Sequence, residues 1–143
     1  MNWKKGRGKL GLLSPLIGEW KAESDSPMGK LTCTRIFKPI LNGTYIQLQA
    51  DWNFGEKVYT EMAVFGIKED QITFWSFTND GKNSTGKLAV GTDVHVDAIC
   101  FEAQMPAGLA RMIYWPSEAE GFHWAVESKN KKGWNRFTMH HYR

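Results

Sequence analysis

The side chains of this sequence best placed to do chemistry include two adjacent histidines near its end, His140 and His141. They lie in a segment whose composition predicts a β-strand. Consecutive side chains of a strand point to opposite faces, so one of the two must point inward whichever register the strand adopts. The chemistry of the interior therefore depends on that register.

Two registers of this last strand lead to different interiors. In the first, Phe137, Met139 and His141 face inward, and a single histidine lies in an apolar pocket. The second turns the alternate set inward, namely Trp134, Arg136, Thr138, His140 and Tyr142. That set is a polar cluster suited to a carboxylate, with Arg136 as a two-pronged donor. The sequence leaves both registers open.

Two further arginines, Arg35 and Arg111, each lie between apolar same-face neighbours in a strand-like segment. Such an arginine is either an outward residue on a mixed face or an inward group that holds an anion. The candidate ligand-binding residues are therefore Arg35, Arg111, Arg136, His140, His141 and Tyr142.

The sequence carries little that indicates catalysis. It has no nucleophile elbow, no glycine-rich phosphate loop and no zinc-protease motif, and its two cysteines lack metal-ligand spacing. His95 and His123 lie opposite apolar faces, so we expect both on the surface. His123 and Glu127, four residues apart in a strand, are separated by about 13 Å and would not touch. A binding role is favoured over an enzymatic one.

The elements that must position these residues are strands joined by short turns. Asn42-Gly43 is a strong hairpin signal, and side chains alternate between apolar and polar from Thr44 to Trp52. We predict strands at 19–24, 30–38, 44–52, 57–67, 71–78, 85–90, 94–104, 109–115, 121–128 and 134–142. Turns this short require antiparallel neighbours. Closing such a meander into a barrel removes its exposed edges, and a two-sheet sandwich is the alternative.

Composition restricts the class of protein further. The chain has 143 residues, enough for one domain with its own core. Four of its 18 basic side chains lie in the first nine residues, which leaves 14 basic and 15 acidic ones elsewhere. A near-neutral body argues against nucleic-acid binding. We expect a basic, mobile leader at 1–11 and a single β-barrel domain at 12–143.

Hydropathy and the two cysteines indicate where the protein is located. No apolar run approaches the about 20 residues of a membrane helix, and Gly11, Ser14 and Pro15 interrupt the first apolar stretch, which argues against a secretory signal. Cys33 and Cys100 read as buried free thiols in a reducing compartment. We therefore expect a cytoplasmic protein without a membrane span, of open oligomeric state, a homodimer included.

One pattern resembles a known group. The apolar lead-in Leu12–Ile17 precedes Gly18-Glu19-Trp20, and the chain ends in a strand with Tyr142-Arg143. This resembles the calycin superfamily, closest to a lipocalin-like bacterial family of unknown function. The resemblance implies a ten-stranded antiparallel up-and-down barrel with a short N-terminal helical turn. It also implies that Trp20 closes one barrel end with Arg143 or Arg136 on its ring.

The relatives suggest what such a barrel holds. Fatty-acid-binding proteins hold a carboxylate with inward arginines and a tyrosine, parts that Arg111, Arg136 and Tyr142 would play here. Nitrobindins hold haem through a late histidine, which would be His140 or His141, although their glycine-rich continuation of the first strand is replaced by Lys21-Ala22-Glu23-Ser24. We expect a small hydrophobic or amphipathic ligand and no other cofactor. The alternatives are haem binding and an enzyme on the same barrel.

Overall fold

Ten antiparallel strands follow one turn of 3₁₀ helix in the computed structural model of this chain, which describes residues 3–26 and 29–143. The 3₁₀ helix spans Gly11–Leu16. The strands are β1 (Gly18–Ser26), β2 (Gly29–Ile40), β3 (Tyr45–Asn53), β4 (Val58–Lys68), β5 (Gln71–Thr78), β6 (Asn83–Ala89), β7 (Ile99–Met105), β8 (Gly108–Pro116), β9 (Phe122–Asn130) and β10 (Gly133–Tyr142). No helix within the described ranges is long and apolar enough to span a membrane.

Each strand pairs with the next in the chain, so the sheet order is the sequence order from β1 to β10. The two edge strands meet at a seam. Lys21 and Arg143 exchange backbone hydrogen bonds there, each 2.9 Å long. The predicted up-and-down barrel is therefore confirmed, and it is nearly closed.

Side-chain alternation builds the interior. In β2, every second residue from Leu31 to Phe37 is buried, and β3 repeats this from Ile46 to Ala50. Aromatic rings pack against one another inside the barrel, where the ring centroids of Phe65 and Phe101 are 5.2 Å apart. The period-two pattern of the sequence thus becomes one buried and one outer face.

The 3₁₀ helix closes one end of the barrel. Leu13 and Leu16 are almost fully buried in the core. The indole nitrogen of Trp20 donates a hydrogen bond of 2.8 Å to the carbonyl oxygen of Leu16. The Trp20 ring also packs edge-on against Phe122, with centroids 4.9 Å apart. Any opening to the interior must therefore lie at the other end.

The prediction for the seventh strand is wrong at its start. β7 begins at Ile99, and residues 91–98 instead turn across the outside of the sheet. Val94 and Ala98 pack there on a second apolar cluster, whose buried members are Cys100, Ile113, Trp115 and Ala125. Val94 and Ala98 cover the outer face rather than pairing as a strand, whereas Val96 between them is exposed. The predicted turn at 25–29 falls partly outside the described residues.

A β-bulge decides the register of the last strand. The pairing of β10 with β9 shifts between Arg136 and Thr138, so Phe137 is an extra residue. Thr138, His140 and Tyr142 face inward, as in the second predicted register, whereas Arg136 faces outward. Trp134 also lies on the outer side. The first register is wrong for Met139 and His141, although Phe137 at the bulge lines the cavity. The second register holds only after the bulge, because an inserted residue reverses the alternation.

Candidate functional site

A cavity of about 480 Å³ occupies the barrel interior. It is lined at its outer end by Lys82 and Ala107, in the turns that connect β5 to β6 and β7 to β8, and by Lys129 near the end of β9. These turns lie opposite the 3₁₀ helix. The barrel is therefore closed at one end and open at the other, and the cavity has the size of a small-molecule site.

The two sides of this cavity differ in polarity. The wall formed by β4 to β6 carries carboxylate and hydroxyl groups, namely Glu61, Ser76, Thr78 and Ser84. The wall formed by β7 to β9 is largely apolar and includes Phe101, Ala103, Met112 and Val126. A ligand lying between the walls meets hydrogen-bonding groups on one side and hydrocarbon on the other.

The side chain of Arg35 lies deep in the cavity wall and is only 1% exposed. Its Nη1 atom donates a hydrogen bond of 2.8 Å to the hydroxyl oxygen of Tyr114. The guanidinium carbon lies 4.2 Å from the centroid of the Trp124 ring. One edge of the cation therefore contacts a tyrosine, and one face lies on an indole, a favourable cation–π contact.

The guanidinium of Arg35 also interacts with the side chain of Tyr142, but its Nε atom has no hydrogen-bond partner among the described residues. Across residues 3–26 and 29–143, no carboxylate oxygen lies within 4.0 Å of its nitrogens, and its buried Nε has no hydrogen-bond partner. Burial acts to lower the pKa of Arg35, but attraction to Tyr114, Tyr142 and Glu61 raises it above its ordinary value. The group is thus a buried cation with an unused donor, which ordinarily costs about 1–3 kcal/mol.

Glu61 is the acidic group of the same cavity. Its Oε2 atom accepts a hydrogen bond from the hydroxyl of Ser76 on the neighbouring strand. Glu61 attracts Arg35 electrostatically but forms no ion pair with it. The cavity therefore contains two opposite charges that are held apart.

The predicted residues His140 and Tyr142 lie together in the interior. The Nδ1 atom of His140 is 3.3 Å from the hydroxyl oxygen of Tyr142. Burial lowers the pKa of His140 to about 4, and the nearby charge of Arg35 contributes. The imidazole is therefore neutral at pH 7. Its ring packs against Trp52 and Trp124, each with centroids 5.3 Å away.

These placements do not fit a haem ligand. His140 is packed among aromatic rings and is not one of the residues that line the cavity. His141 lies on the outer face, where its Nε2 atom is 2.8 Å from the carbonyl oxygen of Glu120. Within the described ranges, no three His, Cys, Asp or Glu side chains are grouped to hold a metal ion. Neither histidine predicted as a haem ligand is thus among the residues that line the cavity.

Arg111 and Arg136 point to the outer face, away from Arg35, His140 and Tyr142. Arg111 belongs to the cavity wall, but its guanidinium binds Asp93 through two hydrogen bonds, of 3.0 and 2.7 Å. Its Nε donates to Glu127 at 2.8 Å, and Arg136 donates to the second oxygen of Glu127 at 3.0 Å. Both arginines therefore have carboxylate partners of their own.

The residues predicted to close the barrel lie at its sealed end. Trp20 packs on Phe122, as described, whereas Arg136 lies 5.1 Å from the centroid of Trp115. Arg143 is exposed and joins the seam through its backbone.

Sequence reasoning missed several residues of the site. Glu61 alternates with Tyr59 and Ala63 on the inward face of β4, and a carboxylate in such a row was a signal for a polar interior group. Tyr114 and Trp124, which contact Arg35, come from β8 and β9. Their contact with a β2 residue follows from barrel closure, which no local pattern reveals.

The architecture is compatible with a calycin-like fold, being a ten-stranded antiparallel meander sealed by a short helical turn next to Trp20. In comparisons with known proteins, no family model matches this chain, and no curated protein is significantly similar to it.

Proposed function

We propose that this barrel binds a small amphipathic molecule whose anionic group is held by Arg35. The observation that carries the proposal is the unpartnered Nε of a cation that is 1% exposed and borders the cavity. The neighbouring Nε and Nη2 hydrogens of an arginine form a fork that matches the two oxygens of a carboxylate. An anion placed there supplies the partner that the protein does not.

The rest of the cavity supports an apolar ligand body. Aromatic and aliphatic side chains, among them Phe74, Phe101 and Val126, line the same cavity as Arg35. Burial of hydrocarbon against them contributes about 25 cal/mol per Å². Lys82 and Lys129 at the open end favour the approach of an anion electrostatically.

The test is calorimetric titration of decanoate and of uncharged 1-decanol into the wild type and Arg35→Met. Methionine keeps an unbranched side chain but removes the charge. A charge-assisted hydrogen bond contributes about 1.5–3 kcal/mol, so decanoate should bind the variant about 10- to 100-fold more weakly. The affinity for decanol should change little.

Arg136→Met is the matched control, since it removes the same residue type from the outer face. Its affinity for decanoate should equal that of the wild type. The proposal fails if decanoate does not bind the wild type at millimolar concentration, or if it binds Arg35→Met with undiminished affinity.

A further inference from the structure

We infer that the ligand carries a hydrogen-bond donor a few bonds away from its anionic group, and that this donor faces Glu61. The inference rests on the proposed function, because it takes Arg35 as the site of the anion. It deepens that function by defining the headgroup as a hydroxylated or otherwise donor-bearing carboxylate rather than a plain alkyl one.

The register of the strands places Arg35 and Glu61 in one row. Ala50 of β3 pairs with Arg35 on one side and with Glu61 on the other. The three residues form a row across three strands, so the Arg35 and Glu61 backbones are about 10 Å apart at most, taking about 4.8 Å per strand. Arg35 and Glu61 both line the cavity, which lies between their side chains. A headgroup of a few atoms can occupy that space.

One carboxylate oxygen of Glu61 accepts no hydrogen bond from a described residue. Among the described residues, the hydroxyl of Ser76 is the only donor to its side chain, and it engages Oε2. The Oε1 atom has no donor from the described protein. An apolar ligand lying over this atom would exclude water and leave a carboxylate oxygen without a hydrogen-bond donor. Such a ligand would therefore bind more weakly.

The two walls of the cavity differ in polarity. Thr78 pairs with Glu61 and extends the same row onto β5, and Ser84 pairs with Ser76 on β6. The polar groups thus continue away from Arg35 along one side, whereas the opposite wall is apolar. A ligand with donors along one edge satisfies both walls, and a plain alkyl chain satisfies only one.

The experiment compares decanoate with 2-hydroxydecanoate and 3-hydroxydecanoate, each enantiomer separately, by calorimetric titration. At least one hydroxylated ligand should bind the wild type about tenfold more tightly than decanoate, the effect of one hydrogen bond to a charged acceptor. In Glu61→Gln, that preference should fall to about threefold or less. Decanoate itself should bind this variant as tightly as the wild type or more tightly, because a like charge has been removed from the cavity.

These opposite changes separate loss of recognition from loss of fold, which would weaken both ligands together. Glu102→Gln, a partly buried glutamate on the outward side of β7, is the matched control and should keep the wild-type preference. Equal affinities for all the acids in the wild type, with dependence on Arg35 intact, would overturn this inference alone. No binding of any acid would overturn the proposed function as well.

Discussion

Two arginines of this barrel are buried to nearly the same degree yet have opposite surroundings. Arg35 is 1% exposed and Arg111 is 3% exposed. Arg111, on the outer face, is held by Asp93 and Glu127, and its guanidinium lies 4.3 Å from the Trp134 ring centroid. Arg35, on the inner face, has an aromatic ring and one tyrosine hydroxyl but no carboxylate within ion-pair distance in the described chain.

This difference is the basis for proposing a structural role for Arg111 and a binding role for Arg35. A buried ion pair with good geometry locks neighbouring elements together, here residues 91–98 onto β8 and β9, and removing one partner is costly. A buried cation without an anionic partner contributes little to folding. It persists where a ligand supplies the missing charge. Burial alone would not have distinguished the two residues.

The largest expected effect comes from a substitution that breaks the outer ion pairs. Arg111→Met should lower the free energy of unfolding by about 3 kcal/mol, because Glu127 is 5% exposed and keeps only Arg136. Arg35→Met should change it by less than about 1 kcal/mol or raise it, since a poorly paired buried cation is replaced by an apolar side chain. Urea unfolding measures both. A larger loss in Arg35→Met than in Arg111→Met would contradict the distinction.

The next prediction concerns the pH dependence of stability that arises from His140, which lies near Arg35 in the interior. The folded-state pKa of His140 is lowered from 6.5 to about 4, mainly by burial and secondarily by Arg35. Between pH 6.5 and 4, the unfolded state therefore binds more protons than the folded state. The stabilisation that comes from the neutral, buried His140 is complete above pH 6.5 and is lost as the pH falls toward 4. A shift of this size corresponds to about 3 kcal/mol.

Nuclear magnetic resonance titration of the His140 ring tests the assignment. In Arg35→Met the pKa of His140 should rise, because the repelling cation is gone, whereas in Arg111→Met it should not move. An unchanged pKa in Arg35→Met would show that the charge of Arg35 does not reach the imidazole. The stability loss between pH 6.5 and 4 should shrink in parallel.

The smallest expected effect concerns Asp93, whose side chain is 58% exposed. Hydrogen bonding from Arg111 lowers its pKa below the ordinary value. Its contribution is therefore present above about pH 4, the usual pKa of an unfolded aspartate, and is lost as the pH falls further. Solvent screening limits the effect of Asp93→Asn to about 1 kcal/mol or less. Urea unfolding at pH 7 measures this difference in the free energy of unfolding between the wild type and Asp93→Asn. Added salt should reduce the difference, and a loss that does not depend on salt would contradict an ion-pair origin.

Most of the fold could be predicted because its signals are local. Alternation in β3 and the hairpin turn at Asn42-Gly43 each need only neighbouring residues, and ten strands with short turns leave few topologies. The segment that starts at Val94 could not be predicted correctly, because it alternates like a strand but packs on the outside of the sheet. The bulge at Phe137 was invisible because the pairing of β10 with β9 creates it, not a turn signal.

The site was predictable only as a set of candidates. Arg35 and Arg111 occur in equivalent apolar contexts in the sequence, and nothing nearby in the chain tells that one faces the cavity. The partners that distinguish them are distant: Tyr114 is 79 residues from Arg35. Glu61 was missed because a single acidic residue in a strand usually faces water.

The most direct test of the central claim is to observe the two arginine Nε–H groups by nuclear magnetic resonance during titration with decanoate. We expect the Arg35 Nε–H resonance to shift downfield on saturation, as a buried donor acquires a charged acceptor, while that of Arg111 stays in place. Decanol at the same concentration should leave both unchanged. If decanoate saturates the protein without moving the Arg35 resonance, the anion is not bound there, and Arg35 does not have the role that separates it from Arg111.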